Sequence, residues 1–161
     1  KKKKQKNKNR IKANKNKRKK LEAEKERPAF GRVEEGKKYY AVTTDSDNGV
    51  FVKEYIAGYI RFDKLNFENN NYFLTKERAE EVADKIKFLL KLERLHDTFC
   101  PDYKPDWNDK SKAKWTVVFD YDEKKYTPYW NIVIDNRTIV YFNDSKTTSK
   151  VCEILNKDIE R

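Results

Sequence analysis

The stretch Tyr72-Phe73-Leu74-Thr75-Lys76-Glu77, running on through Ala79, Val82, Ala83, Ile86, Leu89 and Leu90, decides how this chain is read. A short aromatic run stops at a threonine suited to cap a helix. Glu77 then sits in the first turn, where the helix dipole favours a carboxylate, and apolar residues recur at helical spacing. The pattern predicts a strand feeding a helix that reaches about Leu95. At an offset of 69 residues the same order returns: Tyr141-Phe142 match Tyr72-Phe73, Val151 matches Val82, Cys152 matches Ala83, Glu153 matches Asp84 and Leu155 matches Ile86. Asp144 or Ser145 is the expected N-cap of this second helix, whose Val151, Cys152, Leu155 and Ile159 share one face.

The elements upstream of each helix also correspond. Tyr39, Tyr40, Val42 and Thr43 read as a strand. Asn48-Gly49 gives a tight hairpin turn into Val50-Phe51-Val52, and Ile56, Tyr59, Ile60 and Phe62 read as a further strand. In the second cycle Trp115, Val117 and Phe119 alternate, Asp120 to Lys125 is a polar turn, Trp130, Ile132 and Ile134 alternate again, and Thr138 to Phe142 is β-rich. Pro101 and Pro105 interrupt the segment between the cycles. The predicted fold class is α+β, with two similar strand-strand-strand-helix units in tandem preceded by a Lys-rich N-terminal tail or helix. The expected boundaries are 1–27 for the tail, 28–100 for the first unit, 101–114 for a connector and 115–161 for the second unit.

Charge is partitioned along the chain. The 161 residues carry a formal net charge of +11. Residues 1–27 hold 15 basic and 3 acidic side chains, and residues 28–161 hold 23 basic and 24 acidic, so a +12 tail is attached to a body of −1. From Lys1 to Lys20 only Ile11 and Ala13 are apolar, which leaves nothing to offset the entropy of ordering a free segment. Such a run suits a polyanion, because each phosphate that it neutralises releases condensed counterions. The candidate nucleic-acid-binding residues are Lys6, Lys8, Arg10, Lys12, Lys15, Lys17, Arg18, Lys19 and Lys20. Lysine dominates, which favours tracking of the backbone over bidentate reading of bases, and RNA is favoured over DNA.

Other classes find little support. No apolar run is long enough to span a membrane, and the basic start is not followed by the apolar core of a signal peptide, so the expected location is the cytoplasm. The sequence does not open with Met, as expected of a processed chain or of a piece of a longer one. Cys100 and Cys152 are too few for a disulfide framework, and Cys152 is expected to be a small core residue equivalent to Ala83. His96, the lone histidine, is expected to complement the helix C-terminus rather than pair with Cys100 as a nucleophilic dyad. The turn from Asp45 to Gly49 lacks the spacing and closing glutamate of a calcium loop. Asp102, Lys104, Asp106 and Lys110 have the residue types of a metal-dependent nuclease but lie in a Pro-interrupted connector. No Gly-rich phosphate loop is present. No cofactor, no metal and no enzymatic activity are expected. Tyr39, Tyr59, Tyr72, Trp107, Tyr121, Tyr126 and Tyr129 are read as packing residues first and as stacking platforms second.

Gly36 to Tyr40, the Tyr72-to-Glu77 run with its Ala-Glu-Glu helix, Asp106-Trp107-Asn108, and the strand set ending in Tyr141-Phe142 together resemble a group of small proteins from phages and prophages of low-GC Gram-positive bacteria. The likeness covers most of residues 30–161 and departs at Pro28-Ala29-Phe30-Gly31. That group has no shared activity to carry over to named residues. The resemblance implies a phage accessory protein, a class that includes regulators and stoichiometric inhibitors of host defence such as anti-CRISPR proteins that block a type II Cas nuclease. Combined with the charge partition, it leads to the expectation of a non-enzymatic accessory protein that holds nucleic acid with its tail and inhibits a host defence ribonucleoprotein, through guide RNA or the DNA channel. A stand-alone RNA- or DNA-binding regulator is the alternative, and a metal-dependent nuclease is a third reading.

Overall fold

The structure is a computed structural model that describes residues 31–160 apart from 59, 134 and 136–138. It is α+β. Strand β1 (Lys38–Asp45) and strand β2 (Gly49–Ile56) form one two-stranded sheet. Helix α1 (Arg61–Glu68) and helix α2 (Lys76–Phe99) follow. Strand β3 (Lys114–Asp120) and strand β4 (Lys125–Asn131) form a second two-stranded sheet, and helix α3 (Ser145–Ile159) ends the described chain. Two compact units result, one of residues 31–41 and 53–76, the other of residues 42–52 and 77–160.

The internal repeat appears in the hydrogen bonding. In the first cycle Phe73 forms an isolated antiparallel bridge with Tyr40 of β1, its N–H and C=O both engaged at 2.8 and 2.9 Å. In the second, Phe142 bridges Trp115 of β3 in the same sense. Phe73 and Phe142 are the residues that the offset of 69 aligns. On each strand the residues flanking the bridge are the buried ones: Tyr39 and Ala41 in β1, Lys114 and Thr116 in β3. Helix positions agree as well, since Ala79 and Ala83 are buried in α2, as are Thr148 and Cys152 in α3.

Three strand expectations are corrected. The third strand of each unit is a single bridge at Phe73 or Phe142, because a helix starts three residues later and leaves no length for a ladder. The run Ile56 to Phe62 is not a strand: β2 ends at Ile56, and helix α1 begins at Arg61. Ile56, Ile60 and Phe62 are all exposed, so their alternation marks no buried face; the buried residues here are Ala57, just after β2, and Asp63 of α1. The second strand of the second hairpin starts at Lys125, five residues before Trp130, because the turn is tighter than expected. Asp120 Oδ1 accepts the N–H groups of Asp122 and Glu123, and Lys124 takes a left-handed φ of 52°. The first helix also runs past Leu95 to Phe99. Bridge to bridge, the first cycle spans 33 residues and the second 27, and the extra length accommodates α1.

The core of the larger unit gathers Leu92 of α2, Cys100, Val140, Phe142, and Val151 and Leu155 of α3, with Phe88, Val117 and Tyr126 packed against them. Two polar devices fit the backbone to this core. The Asn156 side chain accepts the Tyr126 N–H at 2.7 Å and donates to the Tyr126 carbonyl at 3.0 Å, so it substitutes for a neighbouring strand at the edge of β4. Two residues on, Pro128 has no N–H to expose. Asp144, the expected N-cap, accepts the Thr147 N–H at 2.7 Å, and this bond holds its carboxyl below the usual range.

Candidate nucleic-acid interface

The nine tail residues predicted to bind nucleic acid, from Lys6 to Lys20, lie outside the described residues. The site is therefore built from where the described chain begins, at Gly31-Arg32-Val33-Glu34-Glu35-Gly36-Lys37-Lys38. Gly36 adopts a φ of 79°, which glycine tolerates without Cβ strain. The turn is tied to the end of β2: Gly36 N–H donates to the Ala57 carbonyl at 2.8 Å, and Ala57 N–H donates to the Lys37 carbonyl at 2.9 Å. Val33 N–H reaches the Tyr72 hydroxyl at 3.4 Å. These bonds shape an open cleft of about 530 Å³ whose lining includes Arg32, Glu34, Lys37, Lys38 and Leu74.

Three cations line the cleft together with Glu34. Lys38 pairs with Glu54 at 2.8 Å, which raises the ammonium pKa and lowers that of the carboxyl. Arg32 lies 5.1 Å from the centre of the Phe67 ring, a cation–π arrangement that leaves guanidinium N–H groups available. Lys37 has no ion-pair partner among the described residues. The sequence reading passed over these three because Glu34 and Glu35 neutralise the window. The Lys37-Lys38 pair just after a turn glycine was the signal available.

The cleft is held by a buried network in the same unit. Tyr39 is stacked between Tyr72, with ring centres 4.0 Å apart, and Tyr55, at 5.3 Å. Its hydroxyl donates to Asp63 Oδ1 at 2.7 Å and accepts from Asn66 Nδ2 at 3.1 Å. Asp63 Oδ2 takes the Gly58 N–H at 2.7 Å. Burial alone would push the Asp63 carboxyl up, but bonds from the Gly58 N–H, the Tyr39 hydroxyl and the Ile60 N–H, with the charge of Arg32, bring it below the ordinary value. The same burial and the facing carboxylate push the Tyr39 hydroxyl far above the usual tyrosine range. Asp63 is thus a satisfied structural carboxylate.

The remaining sequence candidates fall as follows. Tyr39, Tyr72 and Tyr126 pack in cores, and Trp107 lies edge-on to Tyr141. Tyr59 lies outside the described residues. Tyr121 and Tyr129 are exposed on the β3–β4 hairpin. Trp130 and Val133 are exposed as well, and Trp130 faces Trp115 across the ladder. Cys152 is buried, and burial pushes its thiol up to about 11; Cys100 is buried and shifted the same way. His96 Nε2 lies 3.2 Å from the Tyr103 carbonyl at the end of α2. Asp45 closes its turn by accepting N–H groups from Asp47 and Asn48. Asp106 accepts the Asn108 N–H in the same manner. Among the described residues no group of three or more His, Cys, Asp or Glu side chains is placed to hold a metal ion, and no helix is long and apolar enough to cross a membrane.

Lys114 is a buried charge that the sequence did not flag. Its ammonium donates to the carbonyls of Asp109 and Lys112 and lies 5.6 Å from the Trp107 ring centre, so oxygens and a π face replace its hydration. Comparison with known protein families, curated proteins and solved structures finds no match for this chain.

Proposed function

We propose that this is a non-enzymatic phage or prophage accessory protein that binds nucleic acid through its cationic N-terminal segment, RNA in preference to DNA, while its body docks on protein. The observation that carries this reading is the charge partition: 15 basic against 3 acidic residues in positions 1–27, beside a body of net −1. Counterion release makes such a segment a general phosphate binder and gives it no means of choosing a sequence. Specificity therefore falls to the body. Two features support that division. The cleft that lies just after the cationic segment in sequence offers Arg32 and Lys37 as further phosphate contacts, since neither has an ion-pair partner among the described residues. Tyr129 and Trp130, exposed on opposite faces of β4, offer aromatic side chains of the kind enriched at protein interfaces. A protein that holds phosphate with one part and protein with another suits inhibition of a defence ribonucleoprotein, such as a type II Cas nuclease bound to its guide.

The test is affinity purification of the full chain from its native host, with sequencing of the nucleic acid and mass spectrometry of the protein recovered. Recovery of a nuclease together with its guide RNA is the expected result. Recovery of nucleic acid alone would replace inhibition by a stand-alone regulatory role, and recovery of neither would refute the proposal. Magnesium-dependent cleavage of nucleic acid by the pure protein, abolished by Asp102→Ala or Asp106→Ala, would refute the non-enzymatic reading.

A further inference from the structure

Helix α2 carries more apolar surface than its own core covers. Phe88, Leu92, Leu95 and Phe99 enter that core. Val82, Ile86 and Leu89 fall on the adjoining stripe, where with Val117 they line an open, mostly apolar groove of about 400 Å³. Leu89 is 40% exposed and Leu90 55%. A contiguous apolar strip of this kind on a helix is the signature of an interaction surface.

The charges around the strip indicate what covers it. Arg78, Lys87 and Lys91 of the same helix are each paired, with Glu81, Asp84 and Asp158. Lys85 and Glu93 have no ion-pair partner among the described residues, and both are exposed. They stand four residues to either side of Leu89, one cation and one anion about an apolar centre. We propose that this face pairs with the same face of a second copy, the two α2 helices running antiparallel and centred on Leu89. In that arrangement residues equidistant from the centre come level, about 6 Å along the axis for an offset of four. Lys85 of each copy then meets Glu93 of the other, and two-fold symmetry forms the pair twice. A parallel alignment would set Lys85 against Lys85. A uniformly acidic partner would satisfy Lys85 but repel Glu93. The stripe is complementary to itself, and the inference rests on the described residues alone, independent of the nucleic-acid reading.

Sedimentation equilibrium on the full, nuclease-treated chain tests this over concentrations up to about 200 µM at near-physiological salt. A reversible monomer–dimer equilibrium is expected. Lys85→Glu and Glu93→Lys should each weaken the dimer by about tenfold, because each turns two attractive contacts into two repulsive ones. The double variant should return it to within about threefold of the parent. A chain that stays monomeric at the highest concentration overturns the proposal. So does a dimer indifferent to either single change, or a double variant as weak as the singles. Circular dichroism verifies that each variant folds, and the rescue by the double variant separates a lost contact from a damaged fold.

Discussion

Removing one oxygen tests the physical account of the smaller unit: Tyr39→Phe. The ring remains stacked on Tyr55 and Tyr72, so the packing is preserved. The loss is confined to the hydroxyl, which donates to Asp63 at 2.7 Å and accepts from Asn66 at 3.1 Å. Asp63 is only 4% exposed, so solvent does not replace the donor, and a hydrogen bond to a charged group contributes about 1.5–3 kcal/mol. The neutral bond from Asn66 adds about 1 kcal/mol at most, because water can replace part of it. The expected cost is about 2–3 kcal/mol. A pH signature accompanies it. The folded Asp63 carboxyl sits below its ordinary value, so its contribution to stability is present above the unfolded pKa of about 3.9 and is lost as pH falls through the folded pKa. Without the Tyr39 donor the folded pKa moves up toward the unfolded one, and the acid limb of the stability profile becomes shallower. Urea unfolding followed by far-ultraviolet circular dichroism between about pH 2 and 7, with amide exchange at Gly58 as the local probe, measures both effects. A variant within about 0.5 kcal/mol of the parent, or one with an unchanged acid limb, would refute the reasoning.

Three further outcomes follow from the larger unit. Asn156→Ala removes both bonds to the Tyr126 backbone and should cost about 1–3 kcal/mol in urea unfolding monitored by tryptophan fluorescence. Amide exchange should accelerate first at Tyr126. Asp144→Ala should cost about 1 kcal/mol through loss of the cap on Thr147, while Asp144→Asn should recover most of it. Cys100 and Cys152 should both resist a thiol reagent in the native protein at neutral pH and react together on unfolding, because burial raises both thiols and keeps them out of solvent.

The α+β class and the duplication were legible because they rest on residues whose type and spacing agree. Phe73 and Phe142 each make the bridge, and Ala83 and Cys152 are each a small buried helix residue, in the two halves; Asp144 caps its helix as its residue type predicts. Helix α1 was hidden because its buried residue is Asp63, which reads as solvent-facing, while its apolar neighbours are exposed. The strand length after each hairpin was overread because β-rich residues such as those around Tyr141 need only one bridge to be used. Asn156 and Lys114 satisfy backbone groups that no pattern of side chains reveals. At the interface, Lys37 and Lys38 were concealed by the neighbouring glutamates, and only the fold brings them to one cleft with Arg32.

Nucleic-acid binding is proposed to reside in the N-terminal cations. It is tested most directly by fluorescence anisotropy of a labelled single-stranded RNA titrated with the full chain and with residues 28–161 across a range of salt. The shorter chain is expected to bind more weakly. Its log-log salt slope should be shallower by about 0.7 per lost phosphate contact, with 15 cations setting the upper bound of the difference at about 10. Equal affinity and equal slope for the two chains would contradict it.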